Sequence, residues 1–583
     1  MRYFARALLI VAALALLVFG MTQPIDDDAR WLLALWAAAP LLLLAARLSL
    51  PPRPRGTARS VQNLGVVVAL GFGLLSLQLL RQQFVRAGEI ANAVFVDEQT
   101  GQPTSNVRHV IEALRVRRGK MIDRNGMVLV DTRVVEGGFA VRTYPLAEQF
   151  DIAGFSGVIG FFSDRFGTSG LEATFGPYLD GERDSFARLQ DQILGRPQVG
   201  DDIRLTIDAR LQDRVARLLG DRAGSVVVLD PRTGAVLAMV SKPGYDPRLL
   251  AFDPSADREA ENARIQSYWE QLNSEGAGQP LLNRPTQGRY PPGSTFKTVT
   301  AVAALLFPRE VMPDQIDCPN ARETEPGAPP VVNAVPDLFT LTGNPSDLER
   351  VYAYSCNTAF AEYALRLGWD RERDRPREPN LLAETAVKFD IVRPGDARES
   401  YAGFDDLLTL PSLLYVDPGF LNSRAGLADT GFGQGQLLIT PLQMAMVAAT
   451  VANDGLMMEP YLVERVTRPE GGLVTARGPR AIRRVMPGSV AAVMRRNMRA
   501  GVEYGFGRAA QQLDPAVMAV GGKSGTAEHI PGAVPHAWFI AIAPVDQPRF
   551  AVAVMVEQGG EGSRVGAELA GAVLAAAHEL LPP

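Results

Sequence analysis

Three long uncharged runs near the amino terminus, Ala7–Ile25, Trp31–Ala46 and Ser60–Leu80, constrain this chain more than any other feature. No water reaches the backbone of a segment in hydrocarbon, so a spanning run must satisfy its own N–H and C=O groups, as a helix does. A spanning helix needs about 20 apolar residues, with a lower range near 17. The third run meets that length and the first is close; the second is shorter and contains Pro40. Arg2 and Arg6 precede the first run, Asp26, Asp27 and Asp28 mark the first loop, and Arg47, Arg53, Arg55 and Arg59 fill the second connection. Because Lys and Arg in short loops favour the cytoplasmic side, the amino terminus is expected inside, and everything after about Arg81 outside the cell membrane. The alternative is a cleaved signal peptide followed by buried hairpins. Neither a small-residue cleavage site near Gly20–Thr22 nor a lipoprotein cysteine supports it. Residues 1–80 are therefore read as a membrane anchor, with spans at about 7–25, 31–46 and 60–80.

The other 500 or so residues are too many for one average domain. Hydrophobic residues make up 47% and charged residues 21%, enough apolar material for a large core. A net charge of −5 gives no basic footprint, so a nucleic-acid partner is not expected. Two cysteines, Cys318 and Cys356, and four histidines without a His-Glu-x-x-His motif leave no recognisable metal site. Neither metal nor cofactor is expected, and chemistry that needs no histidine is considered first. Outside the membrane a Cys318–Cys356 disulfide is permitted. Two buried free thiols are the preferred reading.

Pro51–Gly56 reads as a stiff connection within the anchor. Residues 81–222 mix short β-like runs, such as Met127–Val130, with Gly-rich loops, and are read as an elongated non-catalytic module. From Ala223 the text is more regular. Ser225–Asp230 and Ala235–Val240 flank a turn at Pro231–Gly234, a hairpin pattern. Ala537–Ala543 and Phe550–Val556 form a second hairpin, and Ala567–Leu581 a closing helix. Helical text such as Pro441–Ala452 lies between them. A sheet built from both ends of residues 223–583, with helices between, places the fold in the α+β class, with α/β the other option.

Three short motifs carry the chemistry. Ser294-Thr295-Phe296-Lys297 follows Pro291-Pro292-Gly293 and opens a helical run, Lys297–Leu306. A serine at a helix start has free N–H groups and a favourable dipole for developing negative charge. A lysine three residues on shares its face. Burial and a neighbouring cation lower a lysine pKa from about 10.4, which turns the amine into a usable base for the serine. Alone, the motif reads more readily as a capping serine with a surface lysine. Ser355-Cys356-Asn357 alone is an ordinary cap or turn. Gly521-Gly522-Lys523-Ser524-Gly525-Thr526 alone is a Gly-rich strand or turn with a solvated lysine; its spacing does not fit a phosphate loop. Taken together and in this order, Ser-x-x-Lys, Ser-x-Asn and Lys-Ser/Thr-Gly mark the serine enzymes that react with penicillin.

Over residues 106–575 the chain resembles class B penicillin-binding proteins, and most of all the PbpA-type enzymes of actinobacteria. Arg118–Gly126 is similar to the Arg-Gly-x-Ile-x-Asp-Arg-Asn-Gly motif of their pedestal, with Met121 where isoleucine is usual. Gly170-Leu171-Glu172, Leu205–Asp208 with Leu211-Gln212, Thr233–Met239, Asn283-Arg284, Tyr290–Lys297, Gly433-Gln434-Gly435, Thr440–Ala445 and His536–Phe539 follow in family order. The actinobacterial likeness rests on Arg142–Pro145 and Phe166–Glu172. Three apolar segments depart from the usual single anchor, and Ser524 replaces the commoner threonine.

The resemblance implies a β-rich pedestal at residues 81–222 and, at 223–583, a penicillin-binding transpeptidase domain with a central antiparallel sheet flanked by helices. It implies a peptidoglycan D,D-transpeptidase that crosslinks stem peptides and is acylated by β-lactams. Ser294 would be the nucleophile and Lys297 its base. Ser355 would relay a proton to the departing D-alanine, Asn357 would orient Lys297 and the substrate amide, and Lys523 would supply positive charge. Ser524, Gly525 and Thr526 would bind substrate, and the N–H groups of Ser294 and Thr526 would form the oxyanion hole. The implied partner is a membrane glycosyltransferase of the shape, elongation, division and sporulation (SEDS) type. A D,D-carboxypeptidase and a β-lactam sensor share the same motifs. A β-lactamase lacks the Arg118–Gly126 motif, and a sensor needs an output domain for which there is no room.

Overall fold

The computed structural model describes residues 2–21, 28–49, 56–82, 94–96, 103–105, 114–182, 198–396, 404–530 and 532–582. Asp26 and Asp27 of the first loop, and the Pro51–Gly56 connection apart from Gly56, lie outside them. Residues 1–113 and 114–583 form separate units.

The first unit holds helices α1 (Arg2–Met21), α2 (Asp28–Ser49) and α3 (Thr57–Leu80), each long and apolar enough to cross a membrane. The second is longer than its apolar run suggested. Pro40 lies inside it, and polar residues at both ends continue the helix past the apolar core. A proline removes one backbone hydrogen bond but need not end a helix whose other bonds hold. Gly20 lets α1 approach α2 closely, since a Cβ there would come within 2.9 Å of Trp31 and Ala34. The Trp31 indole N–H donates to Gln78 of α3 at 2.7 Å. A short antiparallel ladder pairs Val94–Val96 with Pro103–Ser105.

The second unit contains two large sheets. One comprises β1 (Met121–Ile122), β2 (Val128–Val134), β3 (Ala140–Thr143), β4 (Asp202–Leu205), β7 (Val463–Thr467) and β8 (Leu473–Ala476), in the order β8-β7-β4-β1-β2-β3. Strands from either side of residue 223 therefore share one sheet. The loop between β1 and β2 is held by Asp123, which accepts from the N–H groups of Asn125 and Met127, both at 2.8 Å. Asn125 donates to Asp208 at 2.9 Å. The buried Glu172 accepts from Arg118 at 3.1 Å and Arg142 at 2.7 Å. The residues quoted above as pedestal landmarks are thus the ones that bind this module together.

The other sheet is antiparallel, with β5 (Gly224–Leu229), β6 (Val236–Lys242), β9 (Gly521–Ala527), β10 (His536–Ala543) and β11 (Phe550–Val556) in the order β6-β5-β11-β10-β9. Both hairpins read from sequence are present. Successive side chains point to opposite faces. Val226 and Val228 join one apolar cluster with the closing helix α10 (Ala567–Leu580) and with α4 (Ala209–Leu219). Val227 and Leu229 join the other with α5 (Lys297–Leu306), α6 (Asn357–Gly368), α7 (Arg424–Phe432), α8 (Pro441–Ala452) and α9 (Gly488–Glu503). Helices on both faces explain why β5, β10 and β11 are largely apolar rather than alternating. Strand β9 is left at the edge.

Candidate active site

Ser294 lies in a 3₁₀ turn, Gly293–Phe296, that runs directly into α5. Side chains three apart eclipse in such a turn, so Ser294 and Lys297 point the same way. Gly293 has φ +54°, and a Cβ on it would lie 2.7 Å from the Thr526 carbonyl oxygen. A Cβ on Gly525 would lie 2.9 Å from the Pro292 carbonyl oxygen. Two glycines facing each other thus let the serine turn and β9 touch backbone to backbone. Glu557, just past β11, accepts from Tyr290 at 2.6 Å and Arg284 at 2.8 Å, tying the approach to the turn to the sheet.

Lys297 is fully buried. Its amine lies 2.7 Å from the Ser355 carbonyl oxygen, 2.9 Å from Ser355 Oγ and 2.6 Å from Asn357 Oδ1. Lys523, also buried, donates to Ser355 Oγ at 2.9 Å. Ser355 therefore stands between the two amines. Its φ is +57°, a left-handed conformation that non-glycine residues rarely hold. Cys356 caps α6 at its amino end, and Asn357 Nδ2 donates to the Val332 carbonyl at 2.8 Å. Burial, and after it the neighbouring Lys523, push the Lys297 pKa well below the ordinary lysine value. Burial brings Lys523 down to about 7. Desolvation outweighs the two aromatic faces that favour the charged forms, Phe360 at 5.5 Å from Lys297 and Tyr352 at 5.8 Å from Lys523.

The structure thus brings Ser294, Lys297, Ser355, Asn357 and Lys523 together, with Ser524 buried and Thr526 exposed on the same edge strand. One expectation differs in detail. Lys297 was expected to reach the serine hydroxyl, but its amine is turned to Ser355 and Asn357, and among the described residues Ser294 Oγ has no hydrogen-bond partner. Such contacts tighten once substrate is bound. A second expectation is corrected: Cys318 and Cys356 are not free thiols but are joined in a disulfide, their Cα atoms 6.2 Å apart. The fold packs the stretch after α5 against the start of α6, a proximity that their separation in sequence conceals.

These residues open onto a cleft of about 810 Å³, lined by Ser294, Ser355, Asn357, Ser524 and Thr526 on one side and by the Pro329–Val335 segment on another. The sequence reading missed Tyr352, Phe360, Val332 and Asp429. The two aromatics each lie three residues from a motif position, a helical spacing that could have flagged them. Val332 and Asp429 leave no such signal.

Family comparison assigns residues 224–575 to the penicillin binding protein transpeptidase domain, and residues 118–203 to the penicillin binding protein A dimerisation domain. The peptidoglycan D,D-transpeptidase PbpA of Mycolicibacterium smegmatis is 33% identical over 516 residues, which is 84% of this chain and 95% of that protein. The peptidoglycan D,D-transpeptidase MrdA of Haemophilus influenzae is 30% identical, over 65% of this chain and 56% of its own length. Penicillin-binding protein A from M. tuberculosis, solved as an imipenem acyl-enzyme complex, superposes with a TM-score of 0.66 at 30% identity, covering 80% of this chain and 99% of that one. On this evidence of sequence, domain order and fold, the chain belongs to the penicillin-binding protein transpeptidases.

Proposed function

We propose that this chain is a peptidoglycan D,D-transpeptidase that works through an acyl-enzyme on Ser294 and is acylated by β-lactams. The observation that carries the reading is the buried pair Lys297 and Lys523 sharing Ser355 Oγ beside the Ser294 turn. A neutral Lys297 donates to the Ser355 carbonyl and Asn357 Oδ1, which only accept, and its lone pair then receives the Ser355 O–H. When the amine rotates, the lone pair faces Ser294. Ser294 Oγ gives its proton to Lys297 and attacks the carbonyl between the last two D-alanines of a stem peptide. As the C–N bond breaks, Ser355 gives its proton to the departing D-alanine nitrogen and takes the proton held by Lys297 in return, with Lys523 holding the Ser355 oxygen. Lys523, Ser524, Gly525 and Thr526 receive the terminal carboxylate, and the N–H groups of Ser294 and Thr526 receive the oxyanion. Losing one such donor typically costs about 2.7–4 kcal/mol of transition-state stabilisation. An amine from a second stem peptide then takes the acyl group.

Intact mass after exposure to fluorescent penicillin tests this. The wild type gains one label, slowly lost, and Ser294→Ala gains none. A labelled Ser294→Ala protein would overturn the assignment, and rapid loss of label from the wild type would point to a β-lactamase.

The division into an anchor (1–80), a pedestal (81–222) and a transpeptidase domain (223–583) is supported by the family matches at 118–203 and 224–575. Three apolar helices support membrane anchoring. The arginine-rich second connection supports an internal loop there, with the catalytic domain on the extracytoplasmic side. The partner we propose is a SEDS-type membrane glycosyltransferase that engages the α1–α2 pair. Loss of co-purification on removing residues 1–55 would support it, and unchanged pairing would sink it.

A further inference from the structure

Asp429 is a charge in the cleft that the scheme above leaves without a task. It stands on α7, one turn before Gly433. A Cβ on Gly433 would lie 1.8 Å from the Gly293 carbonyl oxygen, so this end of α7 abuts the nucleophile turn. Asp429 lines the same cleft as Ser294 and Ser355. Its carboxylate is half-buried, and among the described residues it meets no hydrogen-bond donor and no cation. Burial alone raises its pKa to about 6. A structural carboxylate in such a place is normally paired, because desolvation without compensation is unfavourable. The other acidic residues lining the cleft, Glu528 and Glu561, are exposed, and no arginine or lysine lines the same wall. An anionic opening raises the local concentration of cations.

We propose that Asp429 docks the acceptor of the second half-reaction, a primary amine that arrives as its ammonium ion and carries net positive charge. This rests on the acyl-transfer reading above. The ammonium gives one proton to the Asp429 carboxylate. The freed nitrogen lone pair forms the N–C bond to the acyl carbon as the C–O bond to Ser294 breaks. The second N–H proton ends on the Ser294 oxygen, and Asp429 returns its proton to water. Water carries no charge for this carboxylate to attract, so the residue concentrates the amine but not water at the acyl-enzyme and biases it towards crosslinking over hydrolysis.

The test is the partition of an acyl-enzyme formed from a thioester stem-peptide analogue on the full chain in detergent. Aminolysis and hydrolysis products are counted with D-alaninamide, a cation, or D-alanine, a zwitterion, as acceptor. Wild type is expected to favour D-alaninamide over D-alanine at equal concentrations of free amine. In Asp429→Asn the ratio of aminolysis to hydrolysis with D-alaninamide falls about tenfold, equivalent to about 1.4 kcal/mol, and Asp429→Glu restores it. Each ratio is internal to the acylated protein, so a poorly folded variant does not distort it. An unchanged ratio in Asp429→Asn, or a wild type indifferent to acceptor charge, overturns the proposal. Failure of Ser294 to acylate at all would instead overturn the transpeptidase reading on which it rests.

Discussion

Two amines that share one serine hydroxyl make this a site where protonation and folding are coupled. Lys523 titrates near 7 in the fold and near the ordinary lysine value of 10.5 in the unfolded chain. Across that window the unfolded state binds more protons, so this residue makes stability rise with pH from about 7 to about 10.5 and contributes no slope below 7. Lys297, pushed the same way, adds to the trend. Lys523→Met should flatten the rise, which thermal unfolding of the full chain in detergent across this range would show. Ser355→Ala removes the hydroxyl that links the amines. Its acylation by fluorescent penicillin should fall about 10²-fold or more, the usual scale of a lost proton relay. The cluster of Ser294, Lys297, Ser355, Asn357 and Lys523, which we propose to be reactive, was legible in the sequence because these residues fall in motifs whose order carries the meaning. Asp429 was not, because its isolation is defined by what fails to surround it in three dimensions.

At the scale of elements, the site is a contact between a turn and a strand edge. Gly293→Ala would place a Cβ 2.7 Å from the Thr526 oxygen at φ +54°, so either the turn or β9 must shift. Holding a side chain in such a conformation costs about 1–3 kcal/mol. The variant should unfold at lower temperature and acylate more slowly than wild type, whereas Gly126→Ala, at a pedestal loop with nothing within 4 Å, should acylate normally. The disulfide is a second element-level device, because Cys356 separates Ser355 from Asn357. Its residues are 38 apart in sequence. Closing loops of this size stabilises proteins by about 2–4 kcal/mol. Cys318→Ser with Cys356→Ser should lower the unfolding temperature, and acylation should fall with it as the Ser355 turn loosens. Hairpins and the helices at Lys297–Leu306 and Pro441–Ala452 were readable because apolar runs bounded by Gly and Pro specify them locally. The disulfide was not, since pairing depends on how distant segments pack. The extent of α2 was misjudged because the run was bounded where its uncharged residues stop, when Asp28, Arg30, Arg47 and Ser49 continue the helix at both ends.

For the whole molecule, the anchor holds more helix than attachment requires. A chain without residues 1–55 keeps α3 and should stay in the membrane fraction and label on Ser294; loss of labelling would give the α1–α2 pair a part in folding. The α+β layout was legible because strands open and close residues 223–583. The mixed sheet of β1–β4 with β7 and β8 was not, since β7 and β8 lie far along the chain from their partners. The strand order of the central sheet also governs timing. Gly224 of β5 pairs with Val556 of β11, and β11 alone separates β5 from β10. A growing chain that has emerged as far as Ser294, or even Ser355, has the proposed nucleophile but not the completed central sheet that holds it. Its first hairpin waits with an open edge until β10 and β11 are made. On the proposed mechanism, reactivity is therefore withheld from every unfinished copy: a nascent or truncated chain presents Ser294 as an ordinary serine until β9, β10 and β11 are in place.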